Sequence, residues 1–96
     1  MNIVEENLEY LRNIYQTLKN DFENQKHDLY FLKSHAYALL TETSNFKMNE
    51  TISFSNHQQQ ELVNLLAKIR NLIISIEKEI EIQSKEEYFN SNKNEI

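Results

Sequence analysis

Apolar residues recur along the first half of the chain at alternating steps of four and three. The series runs through Val4, Leu8, Leu11, Tyr15, Leu18, Phe22, Gln25, Leu29, Leu32, Ala36, Leu39, Thr43 and Phe46. Only Gln25 and Thr43 in this series lack an apolar body. Such spacing places the side chains along one edge of a helix, as at the a and d positions of a heptad repeat. The pattern predicts an amphipathic helix whose apolar seam packs against other helices.

A second apolar stripe with the same steps follows in the other half of the chain. Its members are Leu62, Leu66, Ile69, Ile73, Ile76 and Ile80. Ser55 and Gln58 precede it at the spacing of a capping box, which predicts a helix start. The segment 44–56 is rich in Ser, Thr and Asn and breaks the register, so it predicts the connection. We therefore predict a second helix over residues 56–88 and a frayed tail over residues 89–96.

The first helix is predicted over residues 2–45, with Asn2 as its N-cap. The prediction of a helix is weakest near residues 20–28. There Phe22 is the one apolar residue among several Asn and Asp, which favour turns. The heptad phase nevertheless continues through this stretch without a shift. The sequence leaves two interpretations open, a continuous first helix and a helix that breaks near residues 20–28.

The position of the connection leaves part of the first seam without a partner. If the chain folds back there, Leu62 faces about Leu39, and the seam over residues 4–18 meets only the polar end of the second helix. Either a second chain covers this seam or the first helix breaks and folds back. We predict one all-α domain over residues 1–96, a long antiparallel helical hairpin that dimerises into a coiled-coil-like bundle. The alternative is a compact three-helix bundle.

Charged residues flank the first seam unequally. The e positions are occupied by Arg12, Lys19, Lys26 and Lys33, and the acidic g positions are Asp21, Asp28 and Glu42. A basic edge beside a partly acidic edge is a feature by which paired helices select a partner. In a parallel dimer these edges would set Asp21 against Lys26 of the other chain, so we predict that they form a charge-pairing ridge.

Composition removes most catalytic chemistry. The chain has no Gly, Pro, Cys or Trp. It therefore lacks the residues that form glycine-rich phosphate loops, thiol nucleophiles and cysteine-bound zinc sites. His27 and His57 fall at f positions, far from the seam, and His35 falls at its edge. We therefore predict no enzyme activity, no catalytic residue, no metal site and no cofactor.

Aromatic side chains outside the seam suggest where a partner binds. Tyr30 and Tyr37 are seven residues apart on one face, and Phe31 lies beside them, on a side that should be wet. Either this strip binds another protein, or a third helix or second subunit covers it. The predicted partner-binding residues are the strip and the uncovered N-terminal seam: Tyr30, Phe31, Tyr37, Leu8, Leu11, Tyr15 and Leu18.

These features predict a protein-protein interaction protein, an adaptor, regulator or inhibitor that acts by helix packing and is itself a homodimer. The alternative is a nucleic-acid-related regulator, either a DNA-binding helical repressor or an acidic inhibitor that mimics DNA. The net charge of −5 and the lack of a basic recognition helix make direct nucleic-acid binding the weaker hypothesis. No apolar run approaches the length of a membrane span and no signal sequence is evident, so a cytoplasmic location is expected.

Overall fold

The computed structural model describes the backbone of residues 2–94 and the side chains of residues 2–88, and this part of the chain holds three helices and no strand. Helix α1 spans Ile3–Glu23, α2 spans Leu29–Lys47 and α3 spans Asn56–Asn94. The all-α fold class is confirmed. Of the two predicted architectures, the structure has the three-helix bundle, with overall dimensions of 64 × 21 × 17 Å.

The continuous first helix is the interpretation that proved wrong, because the chain turns over residues 24–28. Gln25 lies in the left-handed region with φ of 54°. Its N–H donates to the carbonyl of Phe22 at 3.3 Å, and the N–H of Lys26 donates to that of Asp21 at 3.0 Å. These two bonds form a Schellman C-cap, a position that usually requires glycine. In a chain without glycine, one of the two polar positions in the apolar series takes this conformation.

We expect Gln25→Gly to raise the free energy of unfolding by about 1 kcal/mol, because glycine adopts the left-handed conformation without the steric cost of a Cβ atom. Urea denaturation followed by circular dichroism measures the change. Gln25→Ala is the matched control, since it shortens the side chain but keeps Cβ, and it should give no gain. Equal stability of the two variants would argue against the left-handed turn.

Side-chain caps begin both helices that follow. The carboxylate of Asp28 accepts hydrogen bonds from the N–H groups of Tyr30 at 2.8 Å and Phe31 at 3.3 Å. The predicted capping box at the start of α3 is confirmed, because Gln58 N–H donates to Ser55 Oγ at 3.1 Å and Ser55 N–H donates to Gln58 Oε1 at 2.9 Å. The connection between α2 and α3 therefore covers residues 48–55, within the predicted 44–56.

Helix α3 is longer than its apolar stripe predicted. It continues through Asn94, past the predicted end at residue 88, so the backbone of residues 89–94 is helical where a tail was predicted. Residues 95 and 96 lie outside the described part. Without Gly or Pro nothing in this stretch stops a helix, and Lys85 Nζ lies 3.0 Å from Glu81 Oε1 one turn away. At 1.5 Å per residue α3 is about 58 Å long, so its C-terminal part projects past α1 and α2.

The core lies between the three helices and takes residues from both predicted stripes. Its buried apolar members are Leu8, Leu11, Leu18, Leu32, Ala36, Leu39, Leu62, Leu65, Leu66, Ile69, Leu72, Ile73 and Ile76. Side chains of α1 and α3 also meet at the edge of the core, where the amide of Gln58 donates to Glu5 Oε1 at 2.9 Å. The two helices run parallel, and α2 runs antiparallel to both.

The N-terminal seam is therefore covered by the chain itself, which corrects a second prediction. Leu8, Leu11 and Leu18 are buried and Tyr15 is half-buried against them, so these residues belong to the core and do not form the uncovered seam that was predicted. The break at residues 24–28 is the cause, because it lets α2 fold back along α1. The uncovered seam was the reason for predicting a dimer, and that reason no longer applies.

Thr43, the other polar position in the apolar series, is fully buried in α2. Its hydroxyl Oγ1 has no hydrogen-bond partner among the described residues. Leaving a hydroxyl unpaired in the interior costs about 1–3 kcal/mol. Thr43 therefore occupies a buried position of the apolar seam but lowers the stability of the fold.

Candidate functional site: a groove between α1 and α2

The two charged edges of the seam lie on different sides of the bundle. Arg12, at an e position, places Nη1 3.0 Å from Glu61 Oε2 on α3. Ile14 and His35, both at g positions, line a groove between α1 and α2. The basic edge of α1 thus lies beside α3, and the g edges of α1 and α2 face each other within one chain.

The remaining basic residues of the predicted ridge do not form a continuous row. Lys19 Nζ lies 4.0 Å from Glu23 Oε1 on the same helix. Lys26 is exposed in the connection after α1, and Lys33 is half-buried on α2. Lys19 thus pairs on its own helix while Lys26 and Lys33 lie in a turn and on another helix, so no continuous basic ridge forms.

The acidic residues of the predicted ridge have separate local roles. Asp21 Oδ2 lies 3.5 Å from His27 Nε2, and Asp28 caps α2. Glu42 is exposed on α2. Since Asp28 is used by the backbone and Lys26 belongs to a turn, the pairing of Asp21 and Asp28 with lysines of a parallel second chain has no support.

The α1/α2 groove is an open channel with an apolar floor. It encloses about 370 Å³ and is lined by Tyr10, Asn13, Ile14, Thr17, Leu18, Asp21, His27, Phe31 and His35. Tyr10 and Phe31 remain 52% and 44% exposed. Among the described side chains that line it, Asp21 is the one carboxylate and there is no Lys or Arg.

Stacked rings hold Phe31 in place at the groove. The ring centroid of His27 lies 4.8 Å from that of Phe31, and the centroid of His35 lies 4.0 Å away on a stacked ring. His35 Nδ1 is also 2.9 Å from the carbonyl oxygen of Phe31. Because a carbonyl can only accept, Nδ1 carries the proton in this contact. These contacts restrict the rotamers of Phe31, so the α2 side of the groove is preorganised.

The predicted aromatic strip is divided between two sides of α2. Phe31 lines the groove beside α1, whereas Tyr37 reaches α3, where its hydroxyl donates to Glu77 Oε1 at 2.5 Å. That hydrogen bond, with smaller effects of desolvation and of the Glu77 charge, raises the pKa of Tyr37. Tyr30 is exposed on the α3 side. Tyr30, Phe31 and Tyr37 remain 62%, 44% and 43% exposed, so no helix of the described chain buries them, and their cover by a second subunit stays a prediction.

Sequence reasoning missed Tyr10 as a site residue. Tyr10 and Phe31 both occupy c positions, which lie on the same side of a helix as g. Their heptad positions can be assigned from the sequence. They indicate a shared groove only once α1 and α2 are known to be antiparallel neighbours.

The chemistry available elsewhere on the surface is limited. A larger cleft of about 470 Å³ lies at the turn end of the bundle, and its lining includes the carboxylates of Glu23, Asp28 and Glu79. Within the described residues no three His, Asp or Glu side chains gather as metal ligands would. Nor is any helix there both long enough and apolar enough to cross a membrane.

Comparison with known proteins adds no relative, since the sequence matches no family model, no curated protein and no solved structure. The geometry of the α1/α2 groove is therefore the basis for a functional proposal.

Proposed function

We propose that this protein is a non-catalytic cytoplasmic binding module, an adaptor, regulator or inhibitor that receives a segment of another protein. The observation that carries the proposal is the α1/α2 groove, with its apolar floor and the exposed rings of Tyr10 and Phe31. Exposed aromatic residues around an apolar depression are typical of sites where one protein contacts another.

The aromatic rings of the groove are not part of the hydrophobic core that stabilises the fold. The core residues are covered by the three helices of one chain, and Tyr10 lies outside that core. Tyr10 and Phe31 are large rings with few rotatable bonds, so burying them against a partner costs little conformational entropy. Such residues contribute most of the free energy at many interfaces. Affinity is therefore expected to depend on the groove more than on other exposed apolar residues.

A nucleic-acid-related function has less support from the charges. Arg12 and Lys19 each lie beside a glutamate, so the basic residues of α1 form no free track for phosphates. On α3, Lys85 pairs with Glu81 within the acidic stretch that a DNA mimic would need. Because basic and acidic side chains are mixed on both helices, the surface charge favours binding to a protein over binding to a nucleic acid or imitation of one.

We expect the double variant Tyr10→Ser with Phe31→Ser to lose capture of the partner by about tenfold or more, because it removes both rings of the groove. The measurement is affinity capture from the source cells with chemical crosslinking and quantitative mass spectrometry. Circular dichroism should show unchanged helicity, since both side chains lie outside the core.

Two further double variants test whether the loss of capture is specific to the groove. Val63→Ser with Ile74→Ser removes exposed apolar residues of α3 and should leave capture unchanged. Tyr30→Ser with Tyr37→Ser tests the other side of α2, and we expect a smaller loss than in the groove pair. Capture that survives the groove pair and disappears with either other pair would contradict the proposed site, and a wild-type protein that captures nothing would contradict the proposed function.

A further inference from the structure

We infer that the occupant of the α1/α2 groove is an amphipathic helix of another protein whose apolar stripe is flanked by Lys and Arg. This inference rests on the proposed function and adds the chemical class of the partner. It follows from three features of the groove: its length, the sign of the charges beside it, and the position of the rest of the chain.

The length of the groove suits a helix. On α1 it extends from Tyr10 to Asp21, which is about 17 Å at 1.5 Å per residue, or three helical turns. A bound helix of that length presents apolar residues at i, i+3 or i+4, and i+7. Ile14 and Leu18 supply the apolar surface against which those residues pack.

The charges beside the groove are negative on both helices. On α1, Asp21 lines the groove 3.5 Å from His27, and Glu6, which lies outside the lining, is one turn before Tyr10 on the same side of the helix. On α2, Glu42 lies two turns after His35 on the same face. Basic side chains of a partner would gain from these carboxylates, and acidic ones would be repelled.

The basic residues of α1 and α2 lie away from the groove. Arg12 contacts α3, and Lys19 shares its e edge of α1. Lys33 occupies the corresponding e edge of α2, on the side opposite to His35. The separation of e and g edges, which the heptad phase establishes, therefore leaves no Lys or Arg among the residues that line the groove, although Lys26 is exposed in the turn beside His27.

Two nearer candidates for the occupant fit less well. A second copy that docked through the same face would bring Asp21, Glu42 and their counterparts together, and these carry the same charge. The C-terminal part of α3 is also badly placed, because α3 packs on the other side of α1 and α2 and carries the backbone past the bundle through Asn94. A separate, basic partner helix avoids both problems.

The test uses two synthetic peptides of about 15 residues with the same leucine stripe at i, i+4, i+7 and i+11, one flanked by Lys and the other by Glu. Fluorescence anisotropy with the full chain gives their dissociation constants. We expect the Lys-flanked peptide to bind about tenfold tighter or more, with affinity that falls as salt rises. The variant Tyr10→Ser with Phe31→Ser should abolish this binding.

A matched pair of charge variants separates the groove from the overall charge of −5. Asp21→Asn with Glu42→Gln removes two charges beside the groove, and we expect binding of the Lys-flanked peptide to weaken about three- to tenfold. Glu86→Gln with Glu87→Gln removes the same net charge from exposed positions on the projecting end of α3, and affinity should stay within about twofold.

Three results would overturn the inference. They are equal affinity for the two peptides, equal weakening by the two charge pairs, and self-association in sedimentation equilibrium that the groove pair abolishes. If the groove pair still loses a cellular partner while the Lys-flanked peptide has no advantage, the binding function stands and only the basic partner is wrong. If neither cellular capture nor peptide binding depends on the groove, both fail.

Discussion

Truncation of Ile69 to alanine is expected to lower the free energy of unfolding by about 2–5 kcal/mol. Ile69 is 0% exposed, in the part of α3 that packs against both other helices. The substitution removes buried apolar surface and leaves a cavity that fixed helices can close only in part. For a domain of this size each kcal/mol lowers the melting temperature by about 4–8 °C, so thermal and urea denaturation followed at 222 nm measure the effect easily.

Ile74→Ala is the matched control for this prediction. Ile74 is the same residue type on the same helix, but it is 62% exposed. Its truncation should change the free energy of unfolding by no more than about 0.5 kcal/mol. If Ile69→Ala and Ile74→Ala gave similar losses, the assignment of the buried face of α3 would be wrong.

Leu11→Ala is expected to cost about 2–5 kcal/mol of stability as well, because Leu11 lies in the core beneath α2 and α3. The same substitution tests whether the N-terminal seam is interior or partner surface. As an interior residue, Leu11 should affect the denaturation midpoint strongly and change neither the solution mass of the protein nor its partner capture below that midpoint. Analytical ultracentrifugation and the capture assay provide these two measurements.

Tyr10→Ala is the control, one residue away on the exposed side of the same helix. It should alter stability by no more than about 0.5 kcal/mol and should weaken partner capture, which is the opposite pattern. A Leu11→Ala variant that kept its stability and lost its partner would restore the seam as a binding surface.

The dimer stays a hypothesis with a weaker foundation. It was predicted because a hairpin leaves residues 4–18 uncovered, and the structure covers them within one chain. Sedimentation of the wild-type protein decides the question independently of the groove.

Local features of the fold were predictable because their causes are local. The two apolar stripes predicted helices, since an amphipathic face depends on spacing alone. The capping box of Ser55 and Gln58 and the N-cap of Asn2 were both identified correctly, and Asn2 Oδ1 accepts the N–H of Val4 at 2.9 Å. Each joins residues within three positions of one another, so no tertiary contact is needed to establish it.

The groove was only partly predictable. Phe31 was singled out as an exposed aromatic residue, whereas Tyr10 was not, because its neighbours across the groove lie on another helix. Tyr30 and Tyr37 were grouped with Phe31 by sequence proximity, although Tyr37 contacts Glu77 on α3. Periodicity identified which side chains share an edge of a helix, and it could not say which helix lies beside that edge.

The sequence by itself determined an all-α chain with two apolar seams, a basic edge and a partly acidic edge. Only the tertiary structure decided that the chain turns back at Gln25, that the N-terminal part of the first seam is core, and that the g edges of α1 and α2 line a common groove. The reason is that the turn over residues 24–28 preserves the heptad phase on both sides. A continuous helix and a helical hairpin therefore share one pattern, and only the turn itself and the packing of α2 back along α1 distinguish them.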